Sequence, residues 1–155
     1  MTPTNLHITG MTTNEHRFAT SIAIDAPPER VWAIMRDVER WHEWTSTVTS
    51  VRLIGGGTLA VGRRALIRQP KLPPAVWKVV EVDEGREFTW VSGLPGMWST
   101  ARHVVEPRGA TCEVVLSITY SGMLGSVLAR IFGDITDRYL AIEAAGLKQR
   151  TEAAP

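Results

Sequence analysis

Cysteine is almost missing from this chain. With only Cys112 among 155 residues, no internal disulfide can form. Cys112 has no partner residue nearby in sequence and reads as a small buried hydrophobe rather than a nucleophile. An excess of charge is also lacking: 17 Lys and Arg oppose 16 Asp and Glu, and no basic run exceeds two residues. This argues against nucleic acid or an anionic membrane as the main partner. No stretch approaches the ~20 apolar residues that a bilayer span requires. The opening residues, MTPTNLHITGMTTNEHR, lack the charged-then-apolar order of a secretory signal, so a cytoplasmic location is the expectation.

Several chemistries are excluded in the same way. Four histidines and one cysteine lie scattered, without metal-ligand spacing, so neither a metal nor another cofactor is expected. In WHEWTS the position four after His42 is Ser46, not the second histidine of a zinc-protease helix. Gly55, Gly56 and Gly57 are followed by Thr58 and Leu59, not by the Lys and Ser/Thr of a phosphate loop, and read as a hairpin turn. There is no Gly-x-Ser-x-Gly nucleophile turn.

What is present is strongly patterned. Residues 1–14 carry no apolar period and read as a tail, leaving 15–152 as one domain, long enough to bury roughly 70% of its unfolded surface. His16 to Ile24 alternates as a strand. In the stretch DAPPERVWAIMRDVERWHEW, Asp25 is placed to cap a helix, and Pro27 and Pro28 suit a first turn whose amides have no intrahelical acceptor. Val31, Ile34, Met35 and Val38 recur at helical spacing, with a break expected near Asp37. Six strand signals follow, at 47–54, 63–69, 76–82, 87–92, 97–105 and 111–120, each bounded by Gly, Pro or Asp. From Leu124 the period turns helical, with Leu124, Val127, Leu128, Ile131, Ile135, Tyr139 and Ile142 along one stripe and Arg130, Asp134 and Glu143 around it. The class is α+β: a curved antiparallel sheet wrapped around a long C-terminal helix, with a cavity where the helix cannot fill the concave face.

The order of elements resembles the helix-grip fold of the START-like (SRPBCC) superfamily, and the local strings resemble its polyketide cyclase/dehydrase branch. The strings that carry the likeness are APPERVWAIMRDVERWHEW, RQPKLPPAVWKVVEVDEGREFTW, GMWSTARHVVEP with GATCEVVLSITYSG, and YLAIEAAGLKQRTE. The resemblance implies a cavity for a small hydrophobic molecule. It also implies relatives among aromatase/cyclases, which fold a poly-keto chain and promote ring closure with loss of water.

Six tryptophans, Trp32, Trp41, Trp44, Trp77, Trp90 and Trp98, fall on different elements. An indole suits the wall of a pocket for a flat or greasy ligand as well as it suits a core. The expected lining is Trp41, Trp44, Trp77, Trp90 and Trp98, with Met97, Leu128 and Phe132. His103 shares a strand face with Ala101 and Val105, and on the concave side its imidazole would move a proton or bind a carbonyl. Arg68, if inward, would be a fork for a carboxylate or enolate, whereas outward it is a solvated charge. Tyr120 ends a strand with a hydroxyl that serves a ligand only from the inner face. His103, Arg68 and Tyr120 are thus the candidate catalytic residues.

The leading functional expectation is binding of a small aromatic, polyketide-like or lipid-like molecule. The alternatives are a cyclase/dehydratase using a cavity His, Arg or Tyr, and a protein-interaction module with a collapsed interior. A homodimer is left open.

Overall fold

The computed structural model describes residues 14–153. The expected tail lies outside the described residues except for Asn14, whose Nδ2 donates to the carbonyls of Gly122 and Met123, both at 3.3 Å. The chain runs β1 (His16–Ile24), α1 (Pro28–Arg36), a 3-10 helix (Val38–Glu43), β2 (Ser50–Leu53), β3 (Arg64–Arg68), β4 (Ala75–Asp83), β5 (Glu87–Leu94), β6 (Met97–Arg108), β7 (Thr111–Ser121) and α2 (Gly125–Glu152). The strands form one seven-stranded antiparallel sheet in the order β1-β7-β6-β5-β4-β3-β2. This is the helix-grip arrangement, with α2 laid along the concave face.

Period-2 patterning decides which side chains meet α2. On β6, Ala101, His103 and Val105 are buried while Arg102 is exposed. On β3, Ala65 and Ile67 are buried between exposed Arg64 and Arg68. Burying the inner set removes apolar surface from water at roughly 25 cal/mol per Å². The fully enclosed centre includes Ile24, Val31, Met35, Phe88, Val105, Val114, Leu116 and Leu147.

Two local expectations change. Pro27, not Asp25, occupies the cap position of α1, and the Asp25 amide donates instead to Glu152 Oε1 at 2.7 Å, tying the start of α1 to the end of α2. The strand expected from residue 47 begins at Ser50, because Thr45 and Thr47 engage each other through their hydroxyls at 2.9 Å.

The larger correction concerns α2. Its buried face carries Leu128, Gly133, Thr136, Leu140, Glu143, Ala144, Leu147 and Thr151, whereas Leu124, Val127, Ile131 and Ile142 of the expected apolar stripe are exposed. Small and polar residues let the helix seat closely against β1 and the 3-10 segment. At Gly133 an added Cβ would lie 3.0 Å from Phe18 Cζ, and at Gly146 one would lie 2.1 Å from the Trp44 carbonyl oxygen.

Candidate functional site

The curled sheet and α2 leave a groove of about 540 Å³ at the N-terminal end of the helix. Trp77, Met97, Tyr120, Leu128 and Phe132 line it, with Leu72, Pro73 and Pro74 from the β3–β4 loop and Ser92 to Leu94 from the β5–β6 hairpin. The two Pro/Gly-rich connections thus frame its mouth. Gly93 is required in the second of them: its φ is 135°, and a Cβ there would lie 1.9 Å from the Met97 carbonyl oxygen. The β3–β4 loop is fastened to the helix by Tyr139, whose hydroxyl donates to the Pro70 carbonyl.

Beyond the groove lies a smaller chamber of about 50 Å³, walled by Trp41, Trp77, Trp90, Leu116, Leu140, His103 and Glu143. Gln69 and Trp77 border both spaces. Gln69 is held in place by donating through Nε2 to the Thr47 carbonyl at 3.1 Å. The aromatic wall is continuous. Trp41 lies 5.4 Å from Trp90 and 5.3 Å from His103 between ring centroids, and the His103 ring stacks on Phe88 at 4.2 Å with planes 7° apart.

His103 and Glu143 are the ionisable pair of this chamber. They come from opposite layers, β6 and α2, with Nε2 3.9 Å from Oε1. Their residues are only 6% and 9% exposed. Desolvation pushes the His103 imidazole down to about 3, against a smaller opposing pull from the Phe88 backbone. That backbone is not in bonding geometry, and Nδ1 has no hydrogen-bond partner. Desolvation likewise pushes the Glu143 carboxyl up to about 7. Burial therefore favours a neutral imidazole beside a neutral acid rather than an ion pair.

The consequence for stability has a definite sign. Unfolded, Glu143 releases its proton near 4.5; folded, it holds the proton to about 7, so its contribution to stability falls as pH rises through that window. His103 does the reverse, losing stability as pH falls from 6.5 toward 3. Glu143→Gln removes only the first dependence. Relative to wild type, the variant is expected to gain roughly 3 kcal/mol between about pH 4.5 and pH 8. Urea titrations at several pH values check this, and a pH-independent difference would show that Glu143 ionises normally.

The structure brings His103, Trp41, Trp77 and Trp90 to the chamber, and Met97, Tyr120, Leu128 and Phe132 to the groove. Tyr120 Oη is already hydrogen-bonded to Thr136 Oγ1 at 2.6 Å. Three expected residues lie elsewhere. Arg68 is exposed on the outer sheet face, alternating with buried Ile67, because an unpaired guanidinium is far better solvated there. Trp98 is 39% exposed and alternates with inward Met97 and Ser99. Trp44 lies behind Trp41, its ring centroid 5.6 Å away and tilted by 56°, and lines neither space. Sequence reasoning put Gln69 in a turn at the cavity mouth without counting it among the site residues, and placed Glu143 on the solvated side of the helix. A signal for Glu143 was available: it stands three residues after Leu140 and four before Leu147, on the stripe that is buried.

Among the described residues no cluster of three or more His, Cys, Asp or Glu is placed to hold a metal ion, and no described helix is long and apolar enough to cross a membrane.

Comparison with known proteins gives a family match and a set of fold relatives. The family model described as polyketide cyclase / dehydrase and lipid transport matches residues 15–152. No curated protein matches the sequence. Among solved structures, norcoclaurine synthase from Thalictrum flavum in complex with dopamine and hydroxybenzaldehyde superposes with a TM-score of 0.71 at 14% identity, covering 92% of this chain and 90% of that one. The di-domain ARO/CYC BexL of the BE-7585A biosynthetic pathway gives 0.70 at 18% identity, over 91% of this chain and 51% of that one. TTHA0849 from Thermus thermophilus gives 0.69 at 21% identity, over 89% and 98%. At these identities the likeness is one of fold.

Proposed function

The chain belongs to the polyketide cyclase / dehydrase and lipid transport family, and from that premise we propose that it binds one small hydrophobic molecule, aromatic or polyketide-like, between the sheet and α2. The supporting observation is the groove itself. Its volume of about 540 Å³ falls within the usual range for small-molecule sites, and Trp77, Met97, Leu128 and Phe132 offer apolar and aromatic walls with few polar groups. Residues 15–152 act as one domain in this reading. The fold relative that holds dopamine and hydroxybenzaldehyde, two small aromatics, is compatible with it.

Naphthalene is a suitable probe, read through quenching of Trp77, the tryptophan that lines the groove. One saturable site per chain is expected. Phe132→Ala should weaken binding about tenfold, since a lost aromatic contact is worth roughly 1 kcal/mol or more. Trp98→Ala, on the outer face, should leave binding unchanged. Absence of saturable binding, or equal sensitivity to both substitutions, would overturn the reading and favour an interaction module instead.

A second reading, cyclase- or dehydratase-type chemistry, is favoured by one observation: a buried imidazole, His103, lines the small chamber that shares Gln69 and Trp77 with the groove. Such a reaction relies mainly on holding the reacting carbons together, with a nearby group moving a proton. His103 is the group placed to do so; Tyr120 stands further out on the groove wall, and Arg68 faces solvent. His103→Ala would then abolish turnover of a poly-keto substrate while binding persisted.

A further inference from the structure

We propose that the inner chamber is a subsite for one uncharged hydroxyl, phenolic or enolic, at the end of an otherwise apolar ligand, with Glu143 donating to that oxygen and His103 Nε2 accepting from it. The inference rests on the reading that the groove holds a ligand, and it names the chemical class that ligand belongs to.

Three observations carry it. First, the 3.9 Å between His103 Nε2 and Glu143 Oε1 is too long for a hydrogen bond, yet one oxygen fits about 2.8 Å from each atom. Second, the chamber's volume of about 50 Å³ has room for a hydroxyl oxygen and falls well short of the ~150 Å³ cavity that admits a benzene ring. Third, Trp77 and Gln69 border both spaces, so a flat ligand lying against Trp77 in the groove presents its end to the chamber. The Gln69 amide nitrogen is already engaged with Thr47, and on the imidazole it is Nδ1, not Nε2, that is buried without a partner, so the case for the pair rests on its 3.9 Å gap.

Charge supports a neutral group over an anion or a cation. Burial holds the Glu143 carboxyl protonated up to about 7 and keeps the imidazole uncharged. Among the described residues, the only other ionisable side chain at the chamber is Arg102, whose Nη2 donates outward to Glu87 at 2.6 Å. Trp41 of the 3-10 helix, Ile67 of β3, Trp77 of β4, Trp90 of β5 and Ser117 of β7 complete the wall without charge. An ionised ligand head would therefore enter a buried site with no unpaired counter-charge.

The test compares naphthalene, 2-naphthol and 2-naphthoate as probes of the full chain, at about pH 6 and pH 8. In wild type, 2-naphthol is expected to bind about tenfold more tightly than naphthalene at pH 6, with the advantage shrinking at pH 8 as Glu143 loses its proton. Glu143→Gln keeps an N–H donor and should retain the preference while losing its pH dependence. Glu143→Leu should erase the preference, 2-naphthol then binding no more tightly than naphthalene. Equal binding of naphthalene and 2-naphthol to wild type overturns the subsite and leaves the groove standing. Tightest binding of 2-naphthoate also overturns it, in favour of an anion site. If no probe binds, the groove reading itself falls and takes the subsite with it.

Discussion

Gly146→Ala is expected to destabilise the protein by about 2–4 kcal/mol, although helix propensity alone favours alanine by roughly 1 kcal/mol. Gly146 lies inside α2, where a Cβ would come within 2.1 Å of the Trp44 carbonyl oxygen. The obstructing atom is backbone, at the cap of the 3-10 helix, so it cannot swing aside as a side-chain tip would. Relief requires α2 to move outward, and that would loosen Leu147 and Thr151, both fully buried. The midpoint of urea unfolding followed by circular dichroism is the measurement. A midpoint equal to or above that of wild type would show that α2 does not seat against Trp44 as described.

Trp41→Ala is expected to cost about 3–5 kcal/mol, the range for removing a large aromatic from a core. Trp41 is 3% exposed and donates through Nε1 to the Met35 carbonyl at 2.8 Å, closing the end of α1 over the core. Its ring contacts Trp44, Phe88, Trp90 and His103. Deleting it removes one wall of the inner chamber, so the void left behind would join a space that already exists. Trp41 is thus core and chamber wall together. A loss below about 1 kcal/mol would mean that the neighbouring rings close the gap, contrary to the close packing of protein interiors.

Both effects arise where α1, the 3-10 helix and α2 meet, and this junction is also where sequence reading was weakest. The strands were legible because a period of two, punctuated by Gly and Pro, is local. The signals at 63–69, 87–92 and 111–120 match β3, β5 and β7 to within two residues at each end. The shared face of Ala101, His103 and Val105 on β6 was legible for the same reason. Trp98 was not. Alternation puts it on the face opposite Met97 and His103, but an indole's apolar body argues for burial wherever it stands, and only the sheet's curvature shows which face is covered.

The composition and periodicity of this chain by themselves determined an α+β fold: seven strands, a break after the first for short helices, and a long closing helix. They also determined that no internal disulfide forms and that the formal charges nearly balance. The tertiary structure alone decided which stripe of α2 meets the sheet. Leu128 and Phe132 face the groove, whereas Val127 and Ile131 point away from it and remain exposed while Gly133, Thr136 and Glu143 turn inward. Helical periodicity shows that residues share a face, but not what faces them. The pairing of His103 with Glu143, 40 residues apart in sequence, exists only because α2 crosses β6 at that point, where desolvation makes an ordinary glutamate a neutral acid.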